Sequence, residues 1–496
     1  ESDTTMASML LQQAEPQSEQ QEIANDFLRF VNAAVSPFHA VQEAKNMLLA
    51  AGFSELDETT SWDLVPGQSY FFTRNYSTLV AFAVGAQFHP ENSGFTIVGA
   101  HTDSPCPKVK PVSKLKKGQF HMLNTQPYGG GLWHTWFDRD LTVAGRVIVR
   151  KKSGGYAHRL VKVDRPILRI STLAIHLTNA EERKAFAPNL QTQFMPLLAT
   201  EMREKLWADG QEKMVEGDGR HSPLLLSLLA EELGCSPAAI EDFELCVVDT
   251  QPSAIGGAFN EFIFSGRLDN LCSSYQALKA LIDSSSEVSL AQERNIRMAV
   301  LFDHEEIGSQ SAVGAQGPVL MQTLQRIETV FSSRIDGTAC ESFDKMLRQS
   351  YVVSSDMAHA CHPNYEAKHD PTLKPVVGGG MVLKHNANQR YATNAVSGFI
   401  FRKIGEKAGL PTQEFAVRSD TGCGSTIGPI TASLSGISTV DVGSPQLSMH
   451  SVREFMGVED LCYGYKHLKA VYEMYPQMND ELTVDASTEN DELFKG

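Results

Sequence analysis

The chain has 496 residues, 42% of them hydrophobic, and 43 Lys and Arg stand against 59 Asp and Glu for a net charge of −16. That length and apolar content suit more than one globular domain, and the acidic balance argues against nucleic acid as a partner. No apolar run approaches a membrane span, and the first residues lack the basic start, apolar block and small-residue cleavage site of a secretory signal.

Residues 1–18 are polar and rich in Gln, Ser and Glu, and read as a disordered tail. From Glu19 the pattern changes. Ile23, Phe27, Phe30, Val31 and Ala34 fall at helical spacing, and Val41 to Ala51 reads as a second helix ended by Gly52. Strand-like runs follow at Ser69–Phe72, Leu79–Val84 and Phe95–Ala100. The last is almost wholly apolar, as suits a strand buried on both faces, and it stops at His101. Residues 19–105 thus form the first part of an α/β domain.

Residues 106–254 read differently. They hold Gly129-Gly130-Gly131, and a hairpin signal at Ser153-Gly154-Gly155 lies between Val147–Lys151 and Leu160–Val163. A polar stretch follows near 200–220. This segment has 20 basic and 17 acidic residues, against 23 and 42 in the remainder, which marks it as a separate β-rich insert. The α/β pattern returns over 255–490. Asp269-Asn270 opens a helix with Leu271, Tyr275, Leu278 and Leu281 on one stripe. Ile296–Phe302 is a buried strand that runs into Asp303-His304-Glu305-Glu306. Tyr351–Ser354 leads to Asp356, and Ile437–Val442 leads into a loop that reaches His450. The eight cysteines are scattered with no Cys-x-x-Cys pair, which suits reduced thiols in a cytoplasmic compartment.

His101, Glu305-Glu306, Asp356 and His450 sit at or beyond the carboxyl ends of strands, where open α/β sheets build their sites, and Asp269 sits at a helix start. Histidine and carboxylate are standard ligands for zinc and similar ions. Five ligands exceed the usual three of a single catalytic zinc. They suit two ions about 3.5–4 Å apart that share a carboxylate and lower the pKa of a water toward ~7. One carboxylate must stay off the metal to take that water's proton, and the Glu pair can divide the two tasks. Asp103 is placed to accept the second N–H of His101. Each residue alone has a plainer reading as a surface histidine, a solvated Glu pair or a helix cap.

Several ordered motifs resemble the aspartyl aminopeptidase family. They are Gly99-Ala-His-Thr-Asp-Ser-Pro105, Tyr128-Gly-Gly-Gly-Leu-Trp133, Trp136-Phe-Asp-Arg-Asp140, Gly266-Arg-Leu-Asp-Asn270, Asp303-His-Glu-Glu-Ile-Gly-Ser309, Asp356-Met-Ala-His-Ala360 with His362-Pro-Asn364, Gln389-Arg-Tyr-Ala392, and Met449-His450 with Arg453-Glu454. The resemblance runs from about residue 20 to near 475. It implies a zinc-peptidase α/β catalytic domain with a central mixed sheet flanked by helices, carrying a β-rich dimerisation insert.

The same resemblance implies two divalent ions per subunit, Zn2+ first, with Co2+ or Mn2+ as alternatives. His101, Asp269 and Asp356 would hold one, and Asp269, Glu306 and His450 the other. Glu305 would be the general base, and Asp103 would orient His101. The implied activity is removal of N-terminal Asp, then Glu, from peptides. Lys384, Tyr391 and His359 would belong to the substrate pocket, and His176 would reach into a neighbouring subunit's site. The implied assembly is a tetrahedral dodecamer built from dimers. A dinuclear aminopeptidase of other preference, or an assembly protein with a vestigial site, are the competing readings.

Overall fold

Alternation of side chains across buried strands organises the molecule. A computed structural model describes residues 19–209, 219–335 and 341–485. The tail at 1–18 lies outside the described residues, as does part of the polar stretch near 200–220.

The strands, in chain order, begin with β1 (Ser54–Glu55), β2 (Ser69–Arg74), β3 (Thr78–Val84) and β4 (Phe95–His101). Next come β5 (Cys106–Lys117), β6 (Phe120–Tyr128), β7 (Leu141–Arg150), β8 (Tyr156–Lys162), β9 (Leu197–Thr200) and β10 (Ile240–Asp249). After these are β11 (Ala254–Gly256), β12 (Phe262–Ser265), β13 (Ile296–Phe302), β14 (Tyr351–Ser355) and β15 (Ala358–His359). The last are β16 (Met381–Lys384), β17 (Thr412–Phe415), β18 (Ser438–Gly443), β19 (Pro445–Leu447) and β20 (Glu454–Gly457).

A nine-stranded mixed sheet has the order β1-β2-β3-β13-β4-β14-β18-β16-β17. At its centre β4 runs parallel to both β13 and β14. All residues of β3, β4, β13 and β14 are buried, which is why those segments read as continuous apolar runs. Their side chains divide between two cores. Val98, Ala100, Ala299 and Leu301 face one cluster, whereas Ile97, Met298, Val300 and Phe302 face the other.

The longer helices packed on this sheet are α1 (Glu19–Ala33), α2 (Pro37–Ala50), α3 (Leu268–Asp283), α4 (Val319–Ser332), α5 (Ala395–Lys407), α6 (Ile427–Ser435) and α7 (Val458–Asp480). The first core takes residues from α1, α2, α3, α5 and α7, and the second from α4 and α6. Leu271, Tyr275, Leu278 and Leu281 of α3 are buried, and so are Ala277 and Ala280 between them. The helix is thus sandwiched rather than striped on one face. Burial of each such leucine contributes about 1.5–3 kcal/mol.

Two element starts differ from the sequence expectation. Helix α2 begins at Pro37 rather than Val41, because Ser36 accepts the N–H of His39 as N-cap and proline suits the first helical position. Asp269 and Asn270 lie within the bounds of α3 but have non-helical backbone angles, and the peptide bond between them is cis.

The segment 106–249 makes its own six-stranded sheet, ordered β8-β7-β10-β5-β6-β9, around a separate apolar cluster that includes Leu123, Val143, Val161, Leu225 and Val247. Here β7 and β8 form the expected hairpin, in which Gly154 and Gly155 turn at positive φ and Lys151 N–H bonds Gly155 O. A third sheet, β11-β12-β20-β19-β15, brings the loop carrying His450 against the first.

Candidate metal centre and substrate cleft

Because β4, β13 and β14 are parallel neighbours, their carboxyl ends share one edge of the main sheet. His101 is the last residue of β4, and Asp356 follows β14 directly. After β13 the chain passes through His304 at φ 63° and turns once over Glu305–Ile307. The Asp103 carboxylate seats that turn. Its Oδ1 accepts Glu305 N–H at 3.1 Å and its Oδ2 accepts Glu306 N–H at 3.1 Å. Tyr128 donates its hydroxyl to the same carboxylate at 2.6 Å.

Asp269 stands between two imidazoles. Its Oδ1 is 3.3 Å from His101 Nε2, and its Oδ2 is 3.3 Å from His450 Nε2. Asp356 Oδ1 and Glu305 Oε2 each lie 3.7 Å from His101 Nε2, and Glu306 Oε2 lies 3.3 Å from His450 Nε2. Ligand atoms of His101, Asp269 and Asp356 fall within 4.8 Å of one another, and so do those of Asp269, Glu306 and His450. Asp269 belongs to both groups, and ligand atoms of His101, Glu305 and Glu306 form a third set equally close together.

The donor set fits divalent ions. His101 Nε2, Asp269 Oδ1 and Glu306 Oε1 are buried without a hydrogen-bond partner, since the close contacts among them lack hydrogen-bond alignment. Buried polar atoms are rarely left so. The far nitrogens of both imidazoles are occupied by acceptors. His101 Nδ1 faces Asp103 O at 3.0 Å and Asp103 Oδ1 at 3.3 Å, and His450 Nδ1 faces Gly130 O at 2.8 Å. A proton on each Nδ1 leaves the Nε2 lone pair aimed at the cluster.

The neighbouring carboxylates also hold a proton on these imidazoles, and a divalent cation would take the place of the Nε2 proton. Burial pushes the Glu305 carboxyl well above the usual range and raises Glu306 to about 7. Burial would lower both imidazoles, but neighbouring carboxylates outweigh it. Asp103, Asp269 and Asp356 raise His101 well above its ordinary value, and Asp269 and Glu306 hold His450 at about 12. Burial opposes the ionised form of Asp269, yet His101 and His450 depress its pKa. Such a concentration of buried carboxylates calls for added positive charge, which a divalent cation supplies.

Glu454 is buried behind the cluster. Its carboxylate accepts His450 N–H at 2.8 Å and Asp269 N–H at 3.2 Å, so it fixes the main chain of two candidate ligands. Burial, reinforced by Asp269, raises its pKa to about 8. Asn270 donates to Ser355 O at 2.8 Å, and Ser104 donates to Asp269 O at 2.7 Å. Sequence reasoning gave Glu454, Tyr128 and Gly130 no role. Their only signal was membership of the family-like motifs.

A cleft opens over the cluster, lined by Glu305, Glu306, Asp356, His359, Lys384, Arg390, Tyr391 and His450. Lys384 is 3% exposed; its ammonium lies 3.8 Å from Asp356 Oδ2 and 5.5 Å from the centre of the Tyr391 ring. His359 faces the cleft, where crowding by protein atoms and the Lys384 charge hold its imidazole to about 4. Asp441 anchors the surrounding loops by accepting from Ser354, Thr426 and the main chain of Ala392. His176 is not among the cleft residues. It sits on the exposed turn Ile175–Leu177 in the segment of the second sheet.

Comparison with known proteins finds relatives over nearly the whole chain. The family model described as aminopeptidase I zinc metalloprotease (M18) matches residues 30–472. A probable aspartyl aminopeptidase of Ricinus communis is 49% identical, over 95% of this chain and 99% of its own length. An aspartyl aminopeptidase of Dictyostelium discoideum is 45% identical, over 92% and 97%. Among solved structures, one of an Ape4 and Nbr1 complex superposes with a TM-score of 0.90 at 41% identity, covering 95% of this chain and 89% of that one. A yeast (S. cerevisiae) mApe1 dodecamer gives 0.80 at 27% identity, covering 93% and 98%. No helix among the described residues is long and apolar enough to cross a membrane.

Proposed function

The chain belongs to the aminopeptidase I zinc metalloprotease (M18) family, and from that membership we propose that it removes N-terminal aspartate, and then glutamate, from peptides. The observation that carries the metallopeptidase part of this reading is Asp269 placed between His101 and His450, with Glu305 Oε2 3.7 Å from His101 Nε2. His101, Asp269 and Asp356 would hold one zinc ion, and Asp269, Glu306 and His450 a second. When bound, the ions supply Lewis acidity toward the scissile carbonyl and acidify water.

The protein's own groups do the rest. Glu305, beside the cluster with its Oε2 3.7 Å from His101 Nε2, would take a proton from water and return it to the leaving amine. Asp103 holds the Glu305 turn and the His101 tautomer. The Lys384 ammonium, buried on the cleft wall, is the cation for the carboxylate of the substrate's first side chain. Tyr391 and His359 shape that pocket. The names of the related aspartyl aminopeptidases support the acidic preference.

Assembly into a tetrahedral dodecamer from dimers is part of the same reading, with 106–254 as the dimerisation insert. A similar solved structure is a dodecamer. Leu173, Ile175 and Leu177 leave large apolar side chains exposed on either side of His176 in the chain, in keeping with a surface covered by another subunit and with His176 entering its site. A cytoplasmic compartment fits the free state of all seven described cysteines.

The test is a panel of peptides differing only in the first residue. Turnover should be highest for Asp, lower for Glu and weak for Asn, Gln and Ala. Equal rates for Asp and Asn would remove the acidic preference while leaving the metallopeptidase intact.

A further inference from the structure

The end of β6 leaves the second sheet and reaches the ligand cluster of the first. Tyr128, its last residue, donates its hydroxyl to Asp103 Oδ2 at 2.6 Å. Gly129 follows at φ 73°, where an added Cβ would lie 3.2 Å from Glu306 Cβ. Gly130 O faces His450 Nδ1 at 2.8 Å, and Leu132 N–H donates to His450 O at 2.9 Å. Over residues 128–132 the insert therefore touches the supports of both imidazoles and closes against Glu306.

Tyr128 is held in one place. It pairs with Cys106 across β5 and β6, and the Lys108 ammonium lies 3.8 Å from the centre of its ring. The His304 ring is 6.3 Å away on centres, and the tyrosine is 8% exposed. Tyr128 is not among the residues that line the cleft, so its route to the reaction runs through Asp103.

Asp103 is fully buried, and both its oxygens are occupied. Oδ1 accepts Glu305 N–H and faces His101 Nδ1, while Oδ2 accepts Glu306 N–H and the Tyr128 hydroxyl. A carboxylate offers about four acceptor sites, so this one is filled. The phenol contact, at 2.6 Å, is the shortest of the four and has the length of a charge-assisted bond. Without it the carboxylate is free to turn toward its remaining donors, and the Glu305 and His101 contacts on Oδ1 turn with it.

We propose that Tyr128 is a positioning residue for the hydrolytic reaction. Through Asp103 it sets His101 and the turn that carries Glu305 and Glu306, so that a residue of the insert completes the metal centre. The proposal rests on the metallopeptidase reading and is independent of the acidic preference.

The experiment uses the full-length, zinc-loaded chain and its Tyr128→Phe variant, which loses the hydroxyl and keeps the ring. Zinc affinity is read by competition with a chromophoric chelator, and kcat and KM are read at saturating zinc with an N-terminal Asp peptide. Zinc affinity and kcat should each fall about tenfold, the low end for an outer partner of a metal ligand, with KM unchanged. In an Asp103→Asn background the same substitution should lower neither further, because the two residues act in series. Equal losses in both backgrounds would mean that Tyr128 acts apart from Asp103, and would overturn the proposal. A parent chain that binds zinc, with zinc affinity and kcat unchanged in Tyr128→Phe, would overturn this proposal alone. A parent chain that binds no zinc would overturn the metallopeptidase reading and this proposal with it.

Discussion

Asp103 Oδ1 accepts the main-chain N–H of Glu305 at 3.1 Å. The same carboxylate binds Glu306 N–H, receives the Tyr128 hydroxyl and faces His101 Nδ1. One buried anion therefore sets an imidazole tautomer and the position of both glutamates. Asp103→Asn replaces an acceptor oxygen with an amide that must turn a donor toward a backbone N–H or toward His101. Outer partners of metal ligands typically contribute about 10–100-fold to affinity or activity. Asp103→Asn should lower kcat and zinc affinity together by factors of that order. Steady-state kinetics and competition with a chromophoric chelator would show it. Unchanged zinc affinity would contradict the tautomer role.

Glu454 acts through the main chain of Asp269 and His450 rather than through their side chains. Glu454→Gln keeps the volume but offers only one acceptor oxygen for two N–H groups. Zinc affinity is expected to fall by about 10–100-fold. Substrate preference should not change, because Glu454 does not line the cleft. A chelator titration paired with the peptide panel separates the two effects.

Glu305 and Glu306 are neighbours in sequence but approach different imidazoles. Glu306 Oε2 approaches His450, whereas Glu305 Oε2 approaches His101 at the longer distance of 3.7 Å. Glu305→Gln should retain zinc and lose about 10²–10⁴-fold in kcat, the usual contribution of a general base. Glu306→Gln should instead reduce zinc content. Elemental analysis of the two variants beside their turnover decides between these roles, and near-normal kcat in Glu305→Gln would remove it as the base.

Lys384 is buried at the cleft wall, and loss of a charge-assisted hydrogen bond costs about 1.5–3 kcal/mol. Lys384→Ala should therefore cut kcat/KM for an N-terminal Asp peptide by roughly 10–150-fold relative to an Ala peptide. Equal losses for both would mean that Lys384 supports Asp356, 3.8 Å away, rather than the substrate.

The legible parts of the sequence were those set by local pattern. Ile296–Phe302 coincides with β13 because every residue is apolar and buried, and His101 and Asp356 mark abrupt ends to such runs. The start of α2 was missed because the Ser36 cap and Pro37 precede the apolar periodicity. The partners of the site were not legible for another reason. His450 meets Gly130 across 320 positions, and Glu454 meets Asp269 across 185, through main-chain atoms that no residue type announces. His176 could not be placed from one chain, since the proposed partner of that exposed turn is a second copy.

The most direct test of a zinc-dependent, acid-specific aminopeptidase is the rate of hydrolysis of an N-terminal Asp peptide by the chelator-stripped chain, followed through stepwise return of zinc. Activity should be absent after stripping and recover as zinc reaches two ions per chain, with little recovery on an N-terminal Ala peptide. Full activity in the stripped protein, or full recovery with no preference for Asp, would contradict the reading of Asp269 as the shared ligand beneath an acid-binding cleft.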